Sequence, residues 1–211
     1  MDFVKMAENA KPLAEKYQYF IDWVKPQMSE KRFAHSMGVA ELAAYFAEKI
    51  GANVDDCFVA GVCHDIAKEL PKEEQKAILQ ASAFVTDLEI MNHDPLWHAI
   101  AGALILKKHI KEFPCITLNV VAATFRHTLG RKDMSKEEEC VFLADMIEKN
   151  RVWDGAEELR AAAEKDFYQG MALAFKMIID YNTQDGKYLH PVAWDCFEQY
   201  AKYLPQKAEN E

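Results

Sequence analysis

Apolar residues recur at helical intervals along almost the whole chain. Leu13, Tyr17, Phe20 and Val24 fall at i, i+4, i+7 and i+11, the spacing of one buried helix face, and predict a helix over 10–26 ending at Pro26. Ser29 is placed to cap a second helix, whose apolar face runs through Phe33, Met37, Ala40 and Ala44 until Gly51 stops it. Asn53 to Asp56 open a third, which buries Phe58, Val62 and Ile66 and ends before Pro71. Pro71 suits the first turn of a short charged helix through Leu79.

From Ala81 to Asn92 no period stands out, and this stretch is expected to wrap the surface. Asp94-Pro95 reads as an N-cap and first helical position, launching a helix to about Ile110. Ile116 to His127 form the next apolar segment, and Ser135 with Glu138 makes a capping box ahead of Val141, Phe142 and Met146. An Ala-rich helix over 156–164, a long one over 166–181 and a last one after Pro191 complete the chain. Alternating strand patterns and internal repeats are missing. The expectation is a single all-α domain of about eight to ten helices, with its core over 29–191 and a polar, frayed tail over 205–211.

Charge and cysteine usage narrow the function classes. The 211 residues hold 25 Lys+Arg against 34 Asp+Glu, a formal net charge of -9. Coating nucleic acid or an anionic membrane needs a broad cationic surface, which this balance argues against. Five cysteines without a C-x-x-C pair make no disulfide framework, so reduced thiols in a cytoplasmic protein are expected. No apolar run approaches membrane-span length, and the first residues lack a signal-peptide core.

The candidate chemistry lies in polar residues embedded in apolar helices. His64-Asp65 sits within Val59-Ala60-Gly61-Val62-Cys63 and Ile66-Ala67, where two adjacent polar groups are costly to bury unless something satisfies them. A metal would satisfy both. The second His-Asp pair, His93-Asp94, precedes Pro95 among polar residues and reads as a solvated loop with a helix cap. His35, His98, His127 and Asp145 each lie on a comparably apolar stretch. Singly, a core histidine bonded to a carbonyl or a buried ion pair is the plainer account of each. The ordered array of four histidines and two aspartates is far more specific than any member.

That array, together with Arg32-Phe33-Ala34-His35, His64-Asp65-Ile66-Ala67-Lys68, Leu96-Trp97-His98, Arg126-His127-Thr128-Leu129-Gly130-Arg131, Ala144-Asp145-Met146-Ile147-Glu148 and Leu159-Arg160, resembles the HD-domain superfamily of metal-dependent phosphohydrolases. The resemblance is to the YqeK-type branch, the bacterial symmetrical diadenosine-tetraphosphate hydrolases, and covers roughly Lys31 to Pro191. Met146 and Lys149 depart from it, standing where the branch has an aromatic and a proline.

The resemblance implies one metal bound by His35, His64, Asp65 and Asp145, with Asp65 bridging to a second held by His98 and His127. Two transition-metal ions follow, iron foremost with manganese or zinc as alternatives; imidazole and carboxylate without thiolate suit these ions independently. Two divalent ions outweigh two carboxylates, so a locally positive centre can meet a polyanion inside an acidic protein. The implied reaction is hydrolysis of diadenosine tetraphosphate to two ADP by a metal-activated water, with His64, Asp65 and Lys68 catalytic.

Lys68, one helical turn beyond His64, and Arg126, Arg131 and Arg151, beside the other ligands, are candidates to hold phosphate, with solvated surface charge the plainer alternative for each. Thr128 and Gly130 either let backbone approach the ligand or form a plain turn. Trp97 reads as core before base stacking, Cys63 as a small buried hydrophobe, and His109 and His190 as surface residues. Partners reduce to a dinucleoside polyphosphate or other nucleotide, with no nucleic acid and no membrane, and a homodimer left open. Three alternatives stay open on sequence: another nucleotide phosphohydrolase of the superfamily, a di-iron oxygenase with a very similar ligand set, and a non-catalytic nucleotide sensor.

Overall fold

The computed structural model describes residues 1–82, 88–184 and 186–205. The first helical pattern folds as two helices, α1 (Phe3–Lys16) and α2 (Gln18–Val24), because Tyr17 leaves helical geometry at ψ 18°. Ser29 caps α3 (Glu30–Ile50) by accepting the Arg32 amide, and left-handed Gly51 ends it. Asn53 caps α4 (Val54–Cys63). The expected continuation to Pro71 is not α-helical: from His64 the chain runs in tight i→i+3 turns, through Ile66 N to Cys63 O, Lys68 N to Asp65 O and Leu70 N to Ala67 O. Ile66 is still buried.

Pro71 directly precedes α5 (Lys72–Gln80). A single helical turn, α6 (Leu88–Met91), occupies part of the stretch that carried no period; the remainder of that reading, over 83–87, lies outside the described residues, as does the frayed tail over 206–211. The helix expected from an Asp94 cap opens instead with a 3₁₀ turn, Asp94–Leu96, before α7 (Trp97–His109). The Asp94 carboxylate turns to Lys72 Nζ at 3.6 Å rather than to a backbone amide. Thr117 caps α8 (Leu118–Arg126), and the Ser135–Glu138 capping box forms ahead of α9 (Lys136–Ile147). Then come α10 (Ala156–Lys165), α11 (Phe167–Gln184) and α12 (Val192–Tyr200).

The described residues are therefore all-α with twelve α-helices and no strand. The two beyond the expected range are the break at Tyr17 and the one-turn α6, too short to show a period. α3 packs on α4 and α9, α8 joins α4, α7 and α9, and α10, α11 and α12 follow one another. The main core includes Phe20, Phe46, Phe58, Phe142 and Phe175; a smaller cluster gathers Leu79, Ile90, Trp97 and Ile100. No described helix is long and apolar enough to cross a membrane.

Candidate metal centre

The six candidate ligands come from five separate helices or their ends and meet at one place. His35 projects from α3, His64 and Asp65 from the turns after α4, His98 from the first turn of α7, His127 from the end of α8 and Asp145 from the last turn of α9. His35, His64 and Asp145 place ligand atoms within 4.8 Å of one another, and so do His64, Asp65 and His127. His35 Nε2 lies 3.0 Å from Asp145 Oδ1, and His64 Nε2 lies 3.6 Å from the same oxygen. His98 Nε2 is 3.1 Å from His127 Nε2.

Asp65 stands between these sets, and its two oxygens face different ways. Oδ2 lies 4.0 Å from His35 Nε2 and 3.7 Å from His64 Nε2. Oδ1 lies 3.4 Å from His98 Nε2 and 3.5 Å from His127 Nε2.

All four imidazoles commit Nδ1 elsewhere, which turns Nε2 inward. His64 Nδ1 is 2.8 Å from Gly61 O, His98 Nδ1 2.8 Å from Pro95 O and His127 Nδ1 2.7 Å from Thr124 O. The Gly61 and Thr124 carbonyls belong to the last turns of their helices, where acceptors lack an intrahelical partner. His35 instead sets Nδ1 at 3.0 Å from Glu148 Oε1. Such outer partners fix tautomer and ring orientation in metal-binding histidines. His35 Nε2 and His64 Nε2 are buried without an aligned hydrogen-bond partner, a costly state that a cation would relieve. The donor set and these orphaned nitrogens fit a divalent metal.

Electrostatics divide the six groups. Burial drives His98 down to about 2, with His127 and Lys68 adding to it, so its imidazole is neutral. Burial opposes ionisation of Asp65, yet His64 and His127 outweigh it and hold the carboxyl well below the usual range. Asp145 behaves likewise against burial, through His35, His64 and Arg151. Burial would lower His35, but Asp145 and Glu148 raise it on balance. Burial lowers the Lys68 ammonium despite the pull of Asp65 and Asp145.

The candidate phosphate contacts separate. Lys68 Nζ lies 3.1 Å from His98 Nε2, and Thr128 Oγ1 lies 3.4 Å from it, so both border the centre. Lys68 gets there on the turns after α4, not on a helical face. Arg151 donates from Nε to the Asp145 carbonyl at 2.7 Å and from Nη2 to Asp145 Oδ1. Arg131 is directed away, its Nε on both oxygens of buried Glu138 at 3.1 Å. Arg126 stacks over Phe125 at 4.5 Å from the ring. Gly130 is a plain left-handed turn (φ 68°) whose amide returns to the Arg126 carbonyl.

Trp97 is core, its Nε1 donating to the Ile90 carbonyl, and Cys63 is fully buried, with burial pushing its thiol up. His93 is half-buried against Tyr188, ring centroids 3.3 Å apart, rather than solvated. His109 and His190 are half-buried as well.

Sequence reasoning gave no role to three residues that shape the centre. Arg32 Nη1 donates to Asp65 Oδ2 at 2.6 Å; its place three residues before His35 on α3 was the available signal. Glu148 seats His35, and a Cβ at Gly38 would collide with its carboxylate, so α3 leaves room for it there. Arg160 pins the segment after α9 through the carbonyls of Ile147, Glu148 and Arg151 at 2.9, 2.6 and 2.8 Å. A cleft of about 410 Å³, lined by Lys31, Arg32, His35, Asn150 and Arg151 among others, opens beside the His35 end.

Comparison with known proteins gives concordant results. The family model described as HD domain matches residues 32–150. A Bacillus subtilis protein named symmetrical bis(5'-nucleosyl)-tetraphosphatase is 36% identical over 178 residues, covering 84% of this chain and 91% of its own. A protein of the same name from Halalkalibacterium halodurans is 31% identical over 83% of this chain and 92% of its own. Among solved structures, a predicted HD superfamily hydrolase involved in NAD metabolism from Clostridium acetobutylicum superposes with a TM-score of 0.80 at 30% identity, covering 88% of this chain and 97% of that one.

Proposed function

The chain belongs to the HD domain family, and from that membership we propose that it is a metal-dependent hydrolase that splits diadenosine tetraphosphate symmetrically into two ADP. The observation that carries the reading is Asp65, one buried carboxylate with one oxygen toward His35 and His64 and the other toward His98 and His127. The relatives' name supplies the substrate class. In this reading His35, His64, Asp65 and Asp145 would hold one ion, and Asp65, His98 and His127 the other. The ions are iron, with manganese or zinc as the alternatives. When bound, such a pair would supply an acidified water and a polarised phosphoryl oxygen.

The chain's own groups then position the substrate. His64 and Asp65 anchor the centre, and the Lys68 ammonium, beside His98, would meet a phosphate oxygen near the point of cleavage. Thr128 offers a hydroxyl at the same end. Arg151, tied to Asp145, orients that ligand and presents the rest of its guanidinium to the cleft beside His35. Hydrolysis adds one water across the central bridge: one ADP gains the water oxygen, and the other leaves with the bridging oxygen. Water is the nucleophile in this reading; the neighbouring Cys63 thiol is fully buried and pushed up by that burial, which does not suit it to attack.

The same reading places residues 1–211 in one HD domain acting in the cytoplasm. The net charge of -9 disfavours nucleic acid as a partner. The test is hydrolysis of diadenosine tetraphosphate by metal-replete protein in heavy-oxygen water. ADP alone, with one labelled oxygen per product pair, is expected. AMP plus ATP would overturn symmetrical cleavage, and oxygen uptake without hydrolysis would overturn the hydrolase.

A further inference from the structure

The two ends of the metal centre open into spaces of opposite character. Beside His35 lies the cleft of about 410 Å³ that carries Lys31, Arg32 and Arg151 against the carboxylates of Glu69 and Glu148, so that cations are in excess. Beside His98 lies a cavity of about 200 Å³, walled by Leu96, Leu129, Phe175, Ile178, Asn182 and Tyr188 among others. No Lys, Arg, Asp or Glu lines it among the described residues, and His190 contributes an imidazole. Thr128 also lines this cavity, and its Oγ1 is 3.4 Å from His98 Nε2, so the cavity adjoins the reacting centre directly. Leu96 stands two residues before His98, and Leu129 two after His127. Tyr188 is held in its wall by the stack on His93.

A dinucleoside polyphosphate has two kinds of surface, anionic phosphates and neutral flat bases. Phosphates gain from the cationic cleft and would lose hydration with little return in the cavity, which offers no Lys or Arg. A base gains there from apolar walls and an aromatic edge. The volume is below the range of drug-sized ligand pockets, a size that suits one base.

We propose that this cavity takes one nucleobase of the substrate, with the polyphosphate running past Thr128 and His98 toward the cationic cleft. The inference rests on the hydrolase reading for the identity of the ligand. It makes recognition one-sided: one base is read, and the other half of a symmetric substrate is held chiefly through its charge.

The experiment measures ADP binding by calorimetry and KM for diadenosine tetraphosphate on manganese-loaded protein. Ile178→Trp would fill the cavity, and Asn182→Ala would remove its half-buried amide, whose Nδ2 donates to the Ile178 carbonyl. In Ile178→Trp, ADP affinity should fall and KM rise about tenfold, with a smaller shift of the same sign in Asn182→Ala. Metal content and inhibition by inorganic tripolyphosphate, which lacks a base, should stay as in wild type. Folded variants that bind ADP with wild-type affinity would overturn the proposal. Should the tryptophan prevent folding, the ADP affinity of Asn182→Ala decides alone. If wild-type protein hydrolyses no dinucleotide, the hydrolase reading falls while the ADP titrations still decide the cavity.

Discussion

Glu148 Oε1 lies 3.0 Å from His35 Nδ1, the one carboxylate among the four groups that seat the imidazoles of the metal centre. The other three histidines rest on carbonyls of their own segments, whereas this contact joins residues 113 positions apart. The second oxygen of Glu148 accepts from the amide and side chain of Asn150 at 2.7 and 3.0 Å.

Glu148→Ala should therefore loosen His35 and weaken metal retention by about 10–100-fold. Gly38→Ala should act in the same direction by displacing the Glu148 carboxylate. Metal content after dialysis against graded chelator measures both; full retention in both variants would remove Glu148 from the centre.

Asp65 and His98 should separate by stoichiometry. Asp65→Asn weakens both positions and should abolish turnover, because each oxygen faces its own pair of histidines. His98→Ala should empty mainly the second position. Elemental analysis should approach two metals per chain in wild type and one in His98→Ala.

The basic residues should divide three ways. Lys68→Ala should raise KM without releasing metal. Arg151→Ala should release metal, because the guanidinium holds both the carbonyl and the carboxylate of Asp145. Arg131→Ala should leave KM unchanged and cost about 1–3 kcal/mol in urea unfolding, because buried Glu138 loses its cation and keeps only the Ser135 amide of the capping box. Metal analysis, KM and unfolding midpoints on the same three proteins distinguish these outcomes.

A pH dependence of stability follows from Glu139, away from the centre. Burial raises its carboxyl above the ordinary 4.5, against the hydrogen bond that Tyr200 donates at 2.6 Å. Above 4.5 the unfolded chain releases this proton while the folded chain keeps it. Stability from this residue is thus fully present below that pH and is lost as pH rises through the higher folded value. Glu139→Gln should remove the loss, so its melting temperature should gain on wild type as pH rises from 4.5 toward neutrality. A constant difference across that range would contradict the assignment.

The helices themselves were legible because their signals are local. Ser29, Asn53 and the Ser135–Glu138 box sit where their caps form, and the apolar spacings through Phe33, Met37, Ala40 and Ala44 and through Phe58 and Val62 outline α3 and α4. The ligand candidates were legible for a related reason: a histidine or aspartate set in an apolar helix carries a burial cost visible in one dimension. Tyr17 and α6 escaped because a break and a single turn leave too few residues to show a period. Asp94 misled because a capping signature competes with whatever cation lies nearby in space, here Lys72.

What sequence left undecided was the choice of partner for each charge. Arg32, Arg131 and Arg151 are equivalent cations beside equivalent motifs, yet they end on Asp65, Glu138 and Asp145. Arg32 and Asp65 lie 33 positions apart, and only the packing of α3 against α4 brings them together. The two faces of Asp65 were settled in the same way, by α3, α7 and α8 converging on the turns after α4. Helical period and capping depend on neighbours within a turn, so the chain itself determines them. Hydrogen bonds between distant side chains depend on how helices are laid against one another, and only the tertiary structure decides that.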